Sequence, residues 1–350
     1  MKSKLLFLLL LLGSSYITAQ TVIENPPFET RQGSIHTISK IELSPTETRL
    51  TIRTVFRPQW WTSLDSLTYI YAPESKKQLY PLRIEGRKFG EQVTTPASGI
   101  IEDDCVITYP PLPEGTTRID WMDDNLNSET NTYGILLVKP QETKEQASLR
   151  KIHGNWQQAD AQNGWDIGIY DSLAIMDNRF WKYDLCRKQG KKFKLNLKDE
   201  TGEQCLLEIT QEKDGNLCIG KNGGKANKYI RAGRPQRNYA ATTAATAPQT
   251  AFFRKDTVHI RGFLDGYSPK LGFTTVLIYT DNHITNEGTP AVVTIHPDGR
   301  FESDFVVNYP GVHHLSMGNN WMTFYIRPGE TLMLYINWED HLDYLRQRRL

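Results

Sequence analysis

Apolar and polar residues alternate with period two along much of the chain. The runs Ser34–Ile38, Arg49–Val55, Leu67–Tyr71 and Phe193–Lys198 are rich in β-branched and aromatic residues. Alternation of this kind puts every second side chain on one face and predicts half-buried strands. Turn chemistry separates the runs, as at Ser44-Pro45-Thr46, Ala72-Pro73-Glu74, Pro96-Ala97-Ser98-Gly99, Thr201-Gly202, Asp214-Gly215 and Pro297-Asp298-Gly299. The expected fold class is mostly β: tandem β-sandwich and small β-barrel modules with a short C-terminal helix.

The same pattern divides the chain. Lys2 and Lys4, the apolar run from Leu5 to Leu12 and then Thr18-Ala19-Gln20 have the layout of a secretory signal peptide over residues 1–20. The run is shorter than the ~20 apolar residues of a membrane-spanning helix. Residues 21–140 read as a β-sandwich. The charged stretch from Gln141 to Lys151 reads as a linker with room for a brief helix. Residues 152–235 read as a small antiparallel sheet or barrel. The Ala- and Thr-rich segment from Ala240 to Pro248 is a second linker, and residues 252–337 read as another β-sandwich. From 338 to 350 the period changes: Trp338, Leu342 and Leu345 share a helical stripe, with Asn337 as N-cap, acids early and bases late. This tail is expected to be the start of a helix cut short at Leu350, which docks on the last sandwich, pairs with another chain or frays.

Charge narrows the function classes. Lys and Arg number 41 against 40 Asp and Glu, which argues against nucleic acid as the main partner. No later stretch is apolar enough to serve as a transmembrane anchor. Aromatics make up 11% of residues, a composition suited to sheets and binding faces. Among the four cysteines no two form a C-x-x-C pair. A structural disulfide among Cys186, Cys205 and Cys218 stays open beside isolated thiols, with Cys205 and Cys218 read as buried strand positions.

Candidate chemistry is sparse. Asp103-Asp104 and Asp123-Asp124 read as turn surface, since neighbours on a strand point apart. His313-His314 diverge if they lie on a strand, and no metal site is expected from them. Gly220–Lys225 lacks the phosphate-loop spacing and reads as a hairpin. No cofactor-binding or catalytic motif is recognised. Trp60 and Trp61 follow Arg57-Pro58-Gln59; alternation expects one indole toward the core and the other outward, as a partner or glycan contact.

Three stretches carry a family resemblance: Glu24-Asn25-Pro26-Pro27-Phe28; Tyr109-Pro110-Pro111-Leu112-Pro113 with Ile119-Asp120-Trp121; and Phe252–Thr257 through Pro297–Glu302 to Arg327–Thr331. They resemble the N-terminal β-regions of large exported thioredoxin-like proteins of Bacteroidetes, the TlpA-type disulfide reductases. In that family a helical segment and a thioredoxin fold with the redox C-x-x-C follow. This sequence has no C-x-x-C, so the resemblance transfers no catalytic residue and implies the accessory part of a periplasmic thiol-disulfide protein. The expectation is an exported, non-enzymatic binding module in the periplasm or cell envelope, with a periplasmic partner or substrate protein and no cofactor. The alternatives are a truncated fragment of such a reductase and an envelope glycan-binding protein.

Overall fold

A computed structural model describes residues 21–124, 130–138, 143–160, 165–232, 253–282, 285, 287–318 and 320–342. Residues 1–20, expected to be a signal peptide, and the Ala/Thr segment lie outside the described residues. The fold is mostly β, as the alternation predicts, and the described part forms two compact units. No helix among the described residues is long and apolar enough to cross a membrane.

The first unit holds the N-terminal sandwich. Its strands are β1 (Thr21–Glu24), β2 (Thr30–Arg31), β3 (His36–Leu43), β4 (Thr48–Val55), β5 (Trp61–Thr62), β6 (Tyr69–Ala72), β7 (Lys77–Leu79), β8 (Arg83–Glu85), β9 (Val93–Thr94), β10 (Ile100–Tyr109), β11 (Arg118–Met122) and β12 (Thr132–Leu136). One sheet runs β1-β3-β4-β10-β8, the other β2-β12-β11-β6-β7, and β5-β9 form a separate ribbon. Ile41, Leu50, Ile52 and Ile107 from one sheet meet Ile70, Ile119, Trp121 and Ile135 from the other. Burying each such side chain is worth about 1.5–3 kcal/mol. Within this core the Trp121 indole N–H donates to the Tyr109 hydroxyl at 3.0 Å.

The segment Asp265–Phe273 and the chain from Asn337 also belong to this unit. Residues 338–342 are helical, and the Asn337 carboxamide accepts from the Asp340 amide at 2.9 Å, the N-cap expected from the sequence. The tail's docking differs from the expectation. Trp338 donates its indole N–H to the Arg31 carbonyl at 2.7 Å, and Arg31 pairs with Glu339 at 2.7 Å. Trp338 and Leu342 are buried, so the stripe seats on the first sandwich rather than on the last one. Leu345 lies outside the described residues.

The second unit opens with α1 (Lys144–Leu149) and a 3-10 turn (Arg150–Ile152). Thr143 and Gln146 form a reciprocal capping box at the helix start. The stretch read as a linker therefore acts as a plug: its Leu149 is buried in the core of the barrel that follows, beside Ile152, the first residue of the expected module. That barrel comprises β13 (Gly154–Gln158), β14 (Ile167–Ile169), β15 (Leu173–Met176), β16 (Arg179–Gln189), β17 (Lys192–Lys198), β18 (Gln204–Gln211), β19 (Leu217–Lys221) and β20 (Asn227–Arg231), each paired with the next and β20 closing on β13. Closure removes free sheet edges. Trp156 fills the centre, donates to the Ile152 carbonyl at 2.9 Å and carries the Arg231 guanidinium 4.9 Å from its ring. Gly154 adopts φ +129° beside it, where any side chain would run into Arg231.

The last module contains β21 (Asp256–Asp265), β22 (Thr275–Asn282), β23 (Glu287–Thr294), β24 (Arg300–Val307), β25 (Gly311–Met317), β26 (Asn320–Ile326) and β27 (Thr331–Asn337). They form a three-stranded sheet β24-β21-β27 and a four-stranded sheet β23-β22-β25-β26. Phe263, Met333 and Tyr335 of the smaller sheet pack on Tyr170, Leu173, Ile175 and Phe180 of the barrel. Tyr170 and Tyr335 stack with ring centres 4.3 Å apart. The barrel and the last module thus share a core.

Candidate functional site

The tryptophan pair of the first sandwich sits on an anchored ribbon. Trp61 opposes Thr94 and Thr62 opposes Val93, making β5 and β9 a two-stranded element. The expected split of the indoles is overturned: Trp60 is 47% exposed and Trp61 50%. Trp60 precedes the strand, next to Gln59 at φ +56°, so alternation applies only to Trp61, which faces out, and to Thr62, which is buried. The Arg57 guanidinium lies 5.0 Å from the Trp60 ring centre. Thr95, buried, holds the ribbon's base: its hydroxyl donates to the Arg57 carbonyl at 2.5 Å, and its amide donates to the Trp60 carbonyl at 2.9 Å.

Beneath the ribbon lies a buried polar cluster. Asp104 and Arg87 form an ion pair at 2.7 Å, with side chains only 4% and 2% exposed. The Thr54 hydroxyl donates to Asp104 at 2.6 Å, and His36 Nδ1 lies 3.0 Å from the same hydroxyl oxygen. On the other side of the ring, His36 Nε2 lies 3.2 Å from the Ser63 carbonyl and 3.3 Å from the Thr62 hydroxyl, so both ring nitrogens are held by polar partners. Burial, reinforced by the Arg87 charge, pulls the His36 pKa down to about 4, so the ring is neutral at pH 7. Arg87 also donates to the Glu91 carbonyl at 2.8 Å and the Thr62 carbonyl at 3.4 Å, tying down both sides of the ribbon.

A carboxylate–hydroxyl–imidazole chain can move protons in an open site. Here His36, Thr54 and Asp104 are all buried, so the chain fixes position instead. Sequence reading misplaced Asp104. It lies on strand β10, and only Asp103 is exposed. The register of β10 against β4 shifts between Ile101 and Cys105, and this bulge makes Asp104 and Cys105 consecutive buried residues. Asp123 is likewise buried, accepting from the Thr130 hydroxyl at 2.7 Å. The broken alternation of Glu102-Asp103-Asp104-Cys105 was the available signal.

The remaining candidates fall apart in space. All four cysteines are free thiols. Cys186 opposes Leu195 and Cys205 opposes Leu197, so β17 lies between them. Two strand spacings separate them by about 9–10 Å, more than the ~7 Å reach of a disulfide. Cys218 opposes Thr210, about 17 Å along β18 from Cys205. Cys205 is buried as expected. Cys218 is only half-buried, its thiol donating to Glu212 at 3.3 Å. Burial pushes the Cys105 thiol up to about 12 and raises Cys205 and Cys218 as well. His313 is buried and His314 half-exposed on β25, the divergence that strand geometry demands. Lys221 ends β19 and Asn227 begins β20, so Gly220–Lys225 forms a hairpin turn. Among the described residues no group of three His, Cys, Asp or Glu side chains could hold a metal.

No family model matches this chain, and no curated protein does. Among solved structures, a pullulanase from Bacillus acidopullulyticus is similar at 8% identity over 84% of this chain, with a TM-score of 0.17; the chain spans only 34% of that protein's length, and the likeness carries no functional argument.

Proposed function

We propose that this chain is an exported, non-catalytic binding module of the periplasm or cell envelope, and that Trp60 and Trp61 are its contact for a partner or substrate protein. The observation that carries this reading is the pair of adjacent, half-exposed indoles on a ribbon pinned by buried polar bonds. Rigid aromatic anchors dominate protein interfaces because they bury large area at little entropic cost. The thiols support a non-redox role: those at Cys105, Cys205 and Cys218 are shifted toward the unreactive protonated form. The resemblance to the β-regions of TlpA-type reductases suggests a thiol-disulfide context for the partner.

The test is a site-specific photocrosslinker placed at Trp61 in protein recovered from the periplasm. A discrete crosslinked partner, lost when Trp60 is also changed to alanine, supports the reading. No crosslink, or one indifferent to that change, overturns it. The same preparation should lack residues 1–20 by intact mass and should reduce insulin only at background rate.

A second reading, an envelope glycan-binding protein, draws on the last module. Tyr279 and Trp321 stack at 5.1 Å and 27°, with Trp321 57% exposed. A glycan array probed with wild type and Trp321→Ala separates it from the first.

A further inference from the structure

The four-stranded sheet of the last module ends in two unlike edges. At one edge, β23 carries Pro290 opposite Tyr279 and starts at Glu287. Proline lacks the amide that a further strand would need, and charge discourages pairing. At the other edge, β26 reads Asn320-Trp321-Met322-Thr323-Phe324-Tyr325-Ile326, with no proline, glycine or charge. Its inner side is bonded to β25 from Met317↔Asn320 to Gly311↔Ile326. Among the described residues no strand pairs with its outer side.

Both faces of β26 are unfinished as well. Trp321, Thr323 and Tyr325 on the outer face are exposed, and Met322 and Phe324 on the core face are still half-exposed. Elsewhere on the core face, Ile278, Leu315 and Met317 are fully covered. The outer face continues inward as Ser316, His314 and Val312 on β25 and Leu277 and Tyr279 on β22, with no carboxylate, ammonium or guanidinium among them. The small Ser316 between β22 and β26 lets the Tyr279 and Trp321 rings meet across β25.

We propose that β26 pairs antiparallel with β26 of a second copy of this chain, about a two-fold axis through Thr323. The sequence is self-complementary in that register. Trp321 faces Tyr325 of the second copy on the outer face, twice over. Met322 faces Phe324 on the core face, and Thr323 faces itself. Aromatic–aromatic and Thr–Thr pairs are among the favourable cross-strand neighbours, and an uncharged strand meets no like charge when it meets its own copy. The pairing satisfies the outward backbone groups of β26, covers Met322 and Phe324, and joins two four-stranded sheets into one.

The register makes the test specific. A residue opposite itself across an antiparallel pair has its Cα atoms about 4.5–5.5 Å apart, inside the range of a disulfide. Thr323→Cys should therefore crosslink to a covalent dimer under mild oxidation, whereas wild type, with its four free thiols, should not. Sedimentation should show a concentration-dependent wild-type dimer. Thr323→Lys, which places two ammonium groups face to face at an exposed position, should weaken it by about tenfold or more. Thr323→Val should retain it. Circular dichroism of the lysine variant guards against misfolding. A wild type that stays monomeric at millimolar concentration, or a dimer unaffected by Thr323→Lys, overturns the proposal.

Discussion

In the barrel Trp156, Phe193, Leu195, Leu207 and Ile219 pack as an apolar cluster and the buried carboxylate of Asp199 is bonded within its own turn to Thr201 and Glu203, whereas the first sandwich buries Asp104 and Arg87, far apart in sequence, beneath its tryptophan ribbon. Apolar packing is non-directional and tolerates small rearrangements. A buried ion pair has one good geometry and is costly in every other, so it locates a loop that apolar contacts alone would leave free to shift. The barrel's polar demands are met locally, as when the Trp181 indole N–H donates to the Met176 carbonyl at 3.1 Å. The sandwich instead spans β3, β4, β10 and two loops with one network. The difference separates a core that holds a fold together from one that also positions a surface.

The largest effects should come from each core, with different rescues. Phe193→Ala in the barrel should cost about 3–5 kcal/mol in urea unfolding, recoverable only by refilling the volume. Arg87→Met should cost a similar ~3–5 kcal/mol by stranding the Asp104 charge, and adding Asp104→Leu should restore much of it. If the double variant is no better than the single, the cluster is not a pair stabilised by mutual neutralisation.

Acidification sharpens the contrast. His36 is neutral in the folded sandwich with a pKa of about 4 against 6.5 in the open chain. The unfolded state therefore binds the extra proton first. Stability contributed by the neutral ring is complete above pH 6.5 and drains as pH falls toward 4, a loss on the order of 3 kcal/mol. His36→Gln should flatten that part of the profile, measured as the difference between the two proteins' unfolding midpoints from pH 7 to 4. Parallel profiles would show that another group carries the acid sensitivity.

A smaller change is expected at the hinge of the network. Thr54→Val removes the hydroxyl that links His36 to Asp104 and should cost about 1–3 kcal/mol, with faster hydrogen exchange at Thr95 and Trp60. The smallest effect belongs to the surface itself. Trp61→Ala should change stability by no more than about 0.5 kcal/mol, because half the indole already faces water. A large loss would recast the tryptophans as structural.

Local pattern carried the strands well. Phe193–Lys198 lies within β17 with its alternation intact, the turns at Thr201-Gly202 and Asp214-Gly215 have glycines at φ +89° and +85°, and Asn337 caps as its type suggests. What escaped was nonlocal. Closing β20 onto β13 depends on Trp156 meeting Arg231, and no window of adjacent residues shows it. The bulge that turns Asp104 inward shows only as a lapse in alternation. Trp60 and Trp61 are exposed together because the strand begins only at Trp61, after the left-handed Gln59, and the residue types alone do not show where a strand starts. Leu149 reads as linker because its partners lie in the barrel whose core it enters.

The composition of the first unit has a consequence for synthesis. Its sandwich is complete in outline by residue 138, yet it also needs the Leu271 carbonyl for Gln32 and the Trp338 indole for Arg31. Arg31 leaves the ribosome 307 residues before Trp338 does. At about 5–20 residues per second this is an interval of about 15–60 s. During it the strand Thr30–Arg31 has no tail to seat. The N-terminal unit is thus the first to begin and the last to finish, and it reaches its final stability only after every strand of the other unit has been made.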